Sequence, residues 1–247
     1  EYGFPLVVED VSPARVADAI TADRNWQTTV LLKESDWTGT VGYNAAGFGA
    51  VQTGTARRLA VSTDPDGLRE HVFDQRLRAN LRTAEERGVS VSQRASPSAV
   101  RAFYDLNLAT MRRKGSPQFP RAFFDALLSA FGDDAVLYVA ERDGEPVSGL
   151  LAFDHDGSRH LWANASDSDH WEARPNDAVY ARAVLDAAKR SAIDVVDFGR
   201  SSADSGIDRF KRRFGGAAYP LTTLVAPPGR TGAGDVSGLR RLAPIAQ

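Results

Sequence analysis

The densest chemistry in the chain lies between Asp194 and Gly216, DVVDFGRSSADSGIDRFKRRFGG. Val195 to Phe198 reads as a buried strand that ends in Gly199-Arg200-Ser201-Ser202. A Gly-containing loop leads on to Arg209-Phe210-Lys211-Arg212-Arg213-Phe214, closed by Gly215-Gly216. A strand end of small and hydroxyl residues, followed closely by a lysine between aromatics, can present polar groups to an anionic or acyl substrate. Loops at strand ends are also where functional residues collect. The same letters equally describe a core strand followed by a solvated basic turn. Asp197-Phe198-Gly199 spells the metal-binding tripeptide of protein kinases, but that role needs a His-Arg-Asp loop, a Gly-rich turn and a strand lysine. The nearby Gly47-Phe48-Gly49 lacks the third glycine, so the kinase reading fails.

The remaining reactive residue types narrow the chemistry. With no cysteine, disulfides, thiolate metal sites and cysteine nucleophiles are excluded together. The four histidines, His71, His155, His160 and His170, show no HExxH spacing, and no metal site is expected. His155 and His160 flank a hairpin turn and are expected at the surface. Neither Ser201 nor Ser202 sits in a G-x-S-x-G elbow. Trp162, Trp171, Tyr180, Phe210 and Phe214 could line a groove for stacking sugars or bases, although rings at this density more often build the core. Lysine occurs only at 33, 114, 189 and 211, and arginine supplies the other 26 of the 30 basic residues. Lys114 and Lys211, beside expected loops, therefore stand out.

The 247 residues suit one large or two small domains. A net charge of -2 does not advertise nucleic acid, and DNA is not an expected partner. No apolar run approaches the ~18 residues of a membrane span. The opening Glu1-Tyr2-Gly3-Phe4-Pro5 is no signal peptide and reads as the start of a fragment.

Periodicity places helices at Pro13 to Asp23, Phe73 to Arg87, Pro97 to Arg113 and Pro120 to Phe131, and a fifth capped by Asn176 or Asp177 and running to Arg190. The helix from Phe73 carries the apolar stripe Phe73, Leu77, Leu81 and Ala84 and ends before Gly88. Its Arg76, Arg78, Arg82 and Arg87 read first as a solvated face. Strands are expected at Gln27 to Leu32, Arg57 to Ser62, Val89 to Gln93, Ala135 to Ala140, Pro146 to Phe153, Arg159 to Ala163, Val195 to Phe198 and Leu221 to Val225. The middle three, with turns at Asp143-Gly144 and Asp156-Gly157, form an antiparallel meander. Gly39 to Gly54 reads as a loop, and the chain from Pro227 as a disordered tail. The fold class is α+β, a mixed sheet flanked by helices.

The motifs, taken in order, resemble the Fem-type (FemAB-like) aminoacyltransferases, closest to the relatives found in exopolysaccharide gene clusters. Leu77-Arg78-Ala79-Asn80-Leu81-Arg82 is similar to that family's arginine-rich helix. Thr110-Met111-Arg112-Arg113-Lys114-Gly115, then Pro120 and Phe123-Phe124, are similar to its T-x-x-R-x-G and P-x-x-F-F segment. Trp162, Pro175-Asn176 and Tyr180 fit its helix entry, and Phe198-Gly199 with Phe210-Lys211-Arg212-Arg213-Phe214-Gly215 fits its closing pair. The resemblance covers about Asp64 to Val225.

It implies a GNAT-like fold with one complete domain, 64–225, preceded by part of a first domain, 1–63, and followed by the tail, 226–247. It further implies an acyl- or aminoacyltransferase acting on a cell-envelope glycan or on a peptidoglycan-type, nucleotide- or lipid-linked precursor. Lys211 would sit nearest the transfer centre, Arg82 and Arg113 would face anionic parts of a substrate, and Trp162, Asn176, Tyr180, Arg200 and Phe210 would shape the groove. The donor would be aminoacyl-tRNA or acyl-CoA, with no resident cofactor. The expected location is the cytoplasm, including the inner face of its membrane. Arg212-Arg213-Phe214-Gly215-Gly216-Ala217 matches the acetyl-CoA pyrophosphate turn in letters but precedes an expected strand, whereas a helix N-terminus is what holds a pyrophosphate. An acyl-CoA-dependent N-acetyltransferase and a non-catalytic glycan-binding module are the rival readings.

Overall fold

A computed structural model describes residues 30–34, 49–61, 64–94 and 96–226. The helix expected at Pro13 to Asp23 and the tail from Pro227 lie outside them. The chain divides into two compact units. The larger holds Arg57–Gly199 and Gly206–Ala217; the described parts of the smaller are 30–34, 49–56, 200–205 and 218–226.

In the larger unit, Pro65–Gly67 and Leu68–Val72 form a short helical entry, capped by Asp64, whose side chain accepts from the Gly67 N–H. Then come α1 (Gln75–Glu86), β3 (Ser90–Arg94), α2 (Pro97–Lys114), α3 (Arg121–Phe131), β4 (Ala135–Arg142), β5 (Glu145–His155), β6 (Ser158–Ser166), α4 (Pro175–Ala188), β7 (Val195–Ser201) and α5 (Gly206–Arg212). The end of β2 (Gly49–Ala60) lies beside β7, and the order continues β7-β6-β5-β4-β3. The meander β4-β5-β6 is antiparallel, as the two Asp-Gly turns require. Asp143, Gly144, Asp156 and Gly157 all have positive φ, the backbone of the tight primed turns. β6 and β7 are parallel, joined through the crossover helix α4. The smaller unit pairs β1 (Val30–Glu34) antiparallel with β8 (Ala217–Ala226), Val30 opposite Ala226.

Both faces of this sheet are covered, which is why β4 and β5 are buried almost without alternation. Val136, Tyr138 and Ala140 of β4 pack on one face with Leu77 and Leu81 of α1 and Val179, Ala183 and Val184 of α4. Leu137 and Val139 pack on the other with Phe103 of α2 and Phe124 of α3. The α2 layer comes close: a Cβ on Gly149 of β5 would lie 2.6 Å from Phe103 Cδ2, so only glycine fits.

Three local expectations need correction. Gly49 to Gly54 is not loop but the first half of β2. The small residues there admit a large neighbour, since a Cβ on Gly54 would lie 3.0 Å from Nε of Arg200. The helix α4 is not capped by Asn176 or Asp177; Arg174, with φ 58, precedes Pro175 at the first helical position. Pro at that position costs no hydrogen bond, which releases the Asn176 and Asp177 side chains for tertiary partners. Nor is His160 a surface residue like His155: it is half-buried, with Nδ1 3.8 Å from Asp197 Oδ1.

Candidate active site

The parallel ladder between β6 and β7 spans three residue pairs and stops at His160 opposite Asp197. Gly199, two residues on, has φ +69, a left-handed conformation that L side chains resist. Side chains take up its peptide groups. Its N–H donates to Asp197 Oδ1 at 2.7 Å, and its carbonyl accepts from Lys211 Nζ at 2.9 Å. The strand thus leaves its neighbour at a glycine held on both sides by side-chain charge.

Lys211 reaches that carbonyl because α5 places Asp208 and Lys211 on its buried side, one turn apart. Lys211 is 5% exposed. Burial drives its ammonium down from 10.5 to about 8; the nearby Asp197 and Asp208 carboxylates oppose the fall and Arg57 adds to it. Asp208 accepts two hydrogen bonds from Arg57, Nε at 2.7 Å and Nη2 at 2.8 Å, while Arg57 Nη1 donates to the Gly216 carbonyl at 3.0 Å. Arg58 Nε donates to Asp197 Oδ2 at 3.1 Å. Burial holds His160 below its ordinary value, against the pull of Asp197. Two carboxylates and three cations are therefore packed around one strand end, in surroundings where charge interactions are strong.

An aromatic wall adjoins this cluster. The Tyr180 ring stacks parallel to Phe198 at 6.4 Å and meets Phe210 edge-on at 5.1 Å, with Phe214 5.9 Å away. Burial pushes the Tyr180 phenol well above its usual range, so it stays protonated. It makes no hydrogen bond among the described residues.

A second polar group forms where β5 begins and β6 ends. Ser148 Oγ donates to Asn176 Oδ1 at 2.9 Å; Asn176 Nδ2 and Trp171 Nε1 both donate to Ser166 Oγ, at 3.0 and 2.8 Å. Asn164 Nδ2 donates to the Gly149 carbonyl at 2.9 Å. Trp171 is 47% exposed, and the Arg113 guanidinium lies 5.0 Å from its ring centre, a cation–π arrangement. These are neutral hydroxyl and amide groups, with one exposed cation, Arg113, at their rim.

Of the residues expected at a site, the structure brings Tyr180 and Phe210 into contact, places Lys211 next to Phe210 in α5, and joins Asn176 to Arg113 through Ser166 and Trp171. Trp162 lies on the other face, tilted against Phe123, Phe124 and Phe153 in the α2–α3 core. Arg82 is exposed on α1, and Arg200 belongs to the smaller unit beside Gly54. Sequence reasoning missed Arg57, Asp208, Ser148 and Ser166. A serine inside the apolar run Pro146 to Phe153 was a signal for Ser148. Nothing local marks Arg57, whose partner is 151 positions away.

The model of the acetyltransferase (GNAT) domain matches residues 72–212, more than half of the chain. No curated protein matches the sequence. In three dimensions the chain is similar to FemX, at 15% identity with a TM-score of 0.65, over 85% of this chain and 75% of that one. It is also similar to the C-terminal domain of a candidate lysylphosphatidylglycerol synthetase from Agrobacterium fabrum, with 13% identity and TM-score 0.70 over 91% and 75% of the two chains. L-PGS from Bacillus licheniformis is a third, with 13% identity and TM-score 0.67 over 94% and 77%. At such identities these likenesses show the fold, and the family is carried by the domain match. The mixed sheet, the short parallel β6–β7 ladder and the match across 72–212 agree: the chain belongs to the GNAT acetyltransferase family and is an acyltransferase.

Proposed function

We propose that this chain transfers an aminoacyl group to an acceptor on a cell-envelope glycan or a peptidoglycan-type precursor. The observation that carries the reading is the charged strand end, Gly199 held by Asp197 and Lys211, within the ordered series of Fem-type motifs. The structural likeness to FemX and to a lysylphosphatidylglycerol synthetase domain supports it. The acceptor amine or hydroxyl attacks the ester carbonyl of the donor. The new bond to carbonyl carbon forms as the ester C–O bond breaks, and the departing hydroxyl takes up the proton the attacking group loses. Lys211 acts as a positioning residue: it fixes Gly199, and its charge favours the oxyanion that develops nearby. Asn176, Ser148, Ser166 and Trp171 orient the acceptor with neutral hydrogen bonds, and Arg113 meets its anionic portion. The protein works in the cytoplasm, with its acceptor presented at the membrane's inner face.

A second reading takes acyl-CoA as donor. It is favoured by the three-pair ladder, because β6 beyond His160 can offer backbone groups to an amide-bearing acyl carrier. Against it, Arg212 to Gly216 follows the C-terminal end of α5 and enters β8, so no helix N-terminus stands there for a pyrophosphate.

The test incubates the full chain with labelled aminoacyl-tRNA or labelled acetyl-CoA and, as acceptors, nucleotide-linked and lipid-linked envelope precursors. Label appearing in a precursor from aminoacyl-tRNA supports the proposal. Label arriving only from acetyl-CoA moves the donor to the second reading, and transfer from neither to any precursor defeats the acceptor assignment.

A further inference from the structure

From Thr110 to Phe124 the chain carries Arg112, Arg113, Lys114 and Arg121 and no acidic residue, although its net charge is -2. These cations lie around one turn of structure. Arg112, Arg113 and Lys114 form the last turn of α2, Gly115 ends that helix in the left-handed conformation, and Arg121 opens α3. All four are exposed. Partial burial, and then the adjoining Arg113 cation, hold Lys114 below its usual value. Of the four, Arg121 has a long contact to Asp125, Nε to Oδ2 at 3.6 Å.

Cations at a helix C-terminus complement its dipole, which accounts for charge in the last turn of α2. It does not account for the apolar surface beside them. Phe119 is 44% exposed between the two helices and stacks on Phe123 at 4.4 Å. Trp171, 47% exposed, sits under Arg113. A cationic rim around projecting rings suits the anionic headgroup layer of a bilayer, where cations meet lipid phosphates and rings settle at the headgroup boundary. Stacking of nucleic-acid bases fits less well, because Phe123 and Arg113 each already cover a ring face that a base would use.

We propose that Arg112, Lys114, Arg121 and Phe119, with Arg113 and Trp171 at the edge, form a surface that docks the chain on an anionic lipid bilayer. The proposal concerns docking alone and holds whichever acyl donor the chain uses.

The experiment sediments the full chain with vesicles of phosphatidylcholine alone and with vesicles of equal parts phosphatidylcholine and phosphatidylglycerol. Binding should require phosphatidylglycerol and weaken as salt rises. Removing one cation should lower partitioning about fivefold, so Arg112→Gln with Lys114→Gln should lower it roughly thirtyfold. Phe119→Ser should weaken what binding remains at high salt. Thermal melts of each variant matching the unsubstituted chain keep the comparison valid, since the altered side chains are exposed. Equal binding to both vesicle types, or binding unchanged by the double substitution, overturns the proposal. So does binding to a duplex RNA with none to either vesicle, which would make the surface a nucleic-acid one.

Discussion

Lys211 gives the sharpest test, because its burial makes stability depend on pH in a defined window. Folding takes its ammonium out of water, which lowers its pKa from 10.5 to about 8. Below about pH 8 the lysine is charged in both folded and unfolded chains, and the folded state carries the desolvation cost. Between that value and the unfolded pKa, the unfolded chain binds the proton more tightly, so stability rises with pH. At 1.36 kcal/mol per unit, the shift from 10.5 to about 8 is worth about 3 kcal/mol of such rise. Lys211→Met removes the titration but leaves the Gly199 carbonyl without its donor, a loss of ~1–3 kcal/mol. The net change at neutral pH is therefore a difference of similar quantities, and the slope is the informative reading. Urea unfolding of both proteins from about pH 7 to about pH 11 should show the gap shifting in favour of the unsubstituted chain as pH rises through the window. Parallel pH curves for the two proteins would refute the claim that this ammonium is desolvated in the folded state.

Other expectations follow from the same geometry. Arg57→Ala should cost ~3–5 kcal/mol in a chemical melt, since it removes both guanidinium hydrogen bonds from the buried Asp208 carboxylate; a loss under about 1 kcal/mol, the worth of a surface pair, would mean the pair is solvated. Gly149→Ala should destabilise the chain by ~1–3 kcal/mol through the Phe103 contact, and Phe103→Leu in the same chain should recover part of the loss. Trp171→Ala should leave the melting temperature nearly unchanged, as the residue is 47% exposed, while raising the acceptor KM in a transfer assay; an unaltered KM would remove Trp171 and Arg113 from the acceptor site.

The apolar stripe Phe73, Leu77, Leu81 and Ala84 and the two Asp-Gly turns were legible in the sequence because each signal lies within a few residues and follows the period of its element. So was the burial of Tyr180 and Phe214, since large rings seldom find enough partners at a surface. The extent of β2 was not: Gly49 to Gly54 has the composition of a loop, and only close approach to a neighbour makes it strand. The helix start at Arg174 was hidden for a related reason, because Asn176 looks like a cap until Ser148 and Ser166 are seen to claim its side chain. Arg57 and Asp208 meet across 151 residues, a separation over which no local pattern carries information. By itself the sequence determined the helices and strands between Phe73 and Phe198, and that a lysine flanked by aromatics follows a strand ending at Gly199. The tertiary structure alone decided that this lysine would be buried against the Gly199 carbonyl, because desolvation and ion pairing depend on which distant groups the fold packs around a charge.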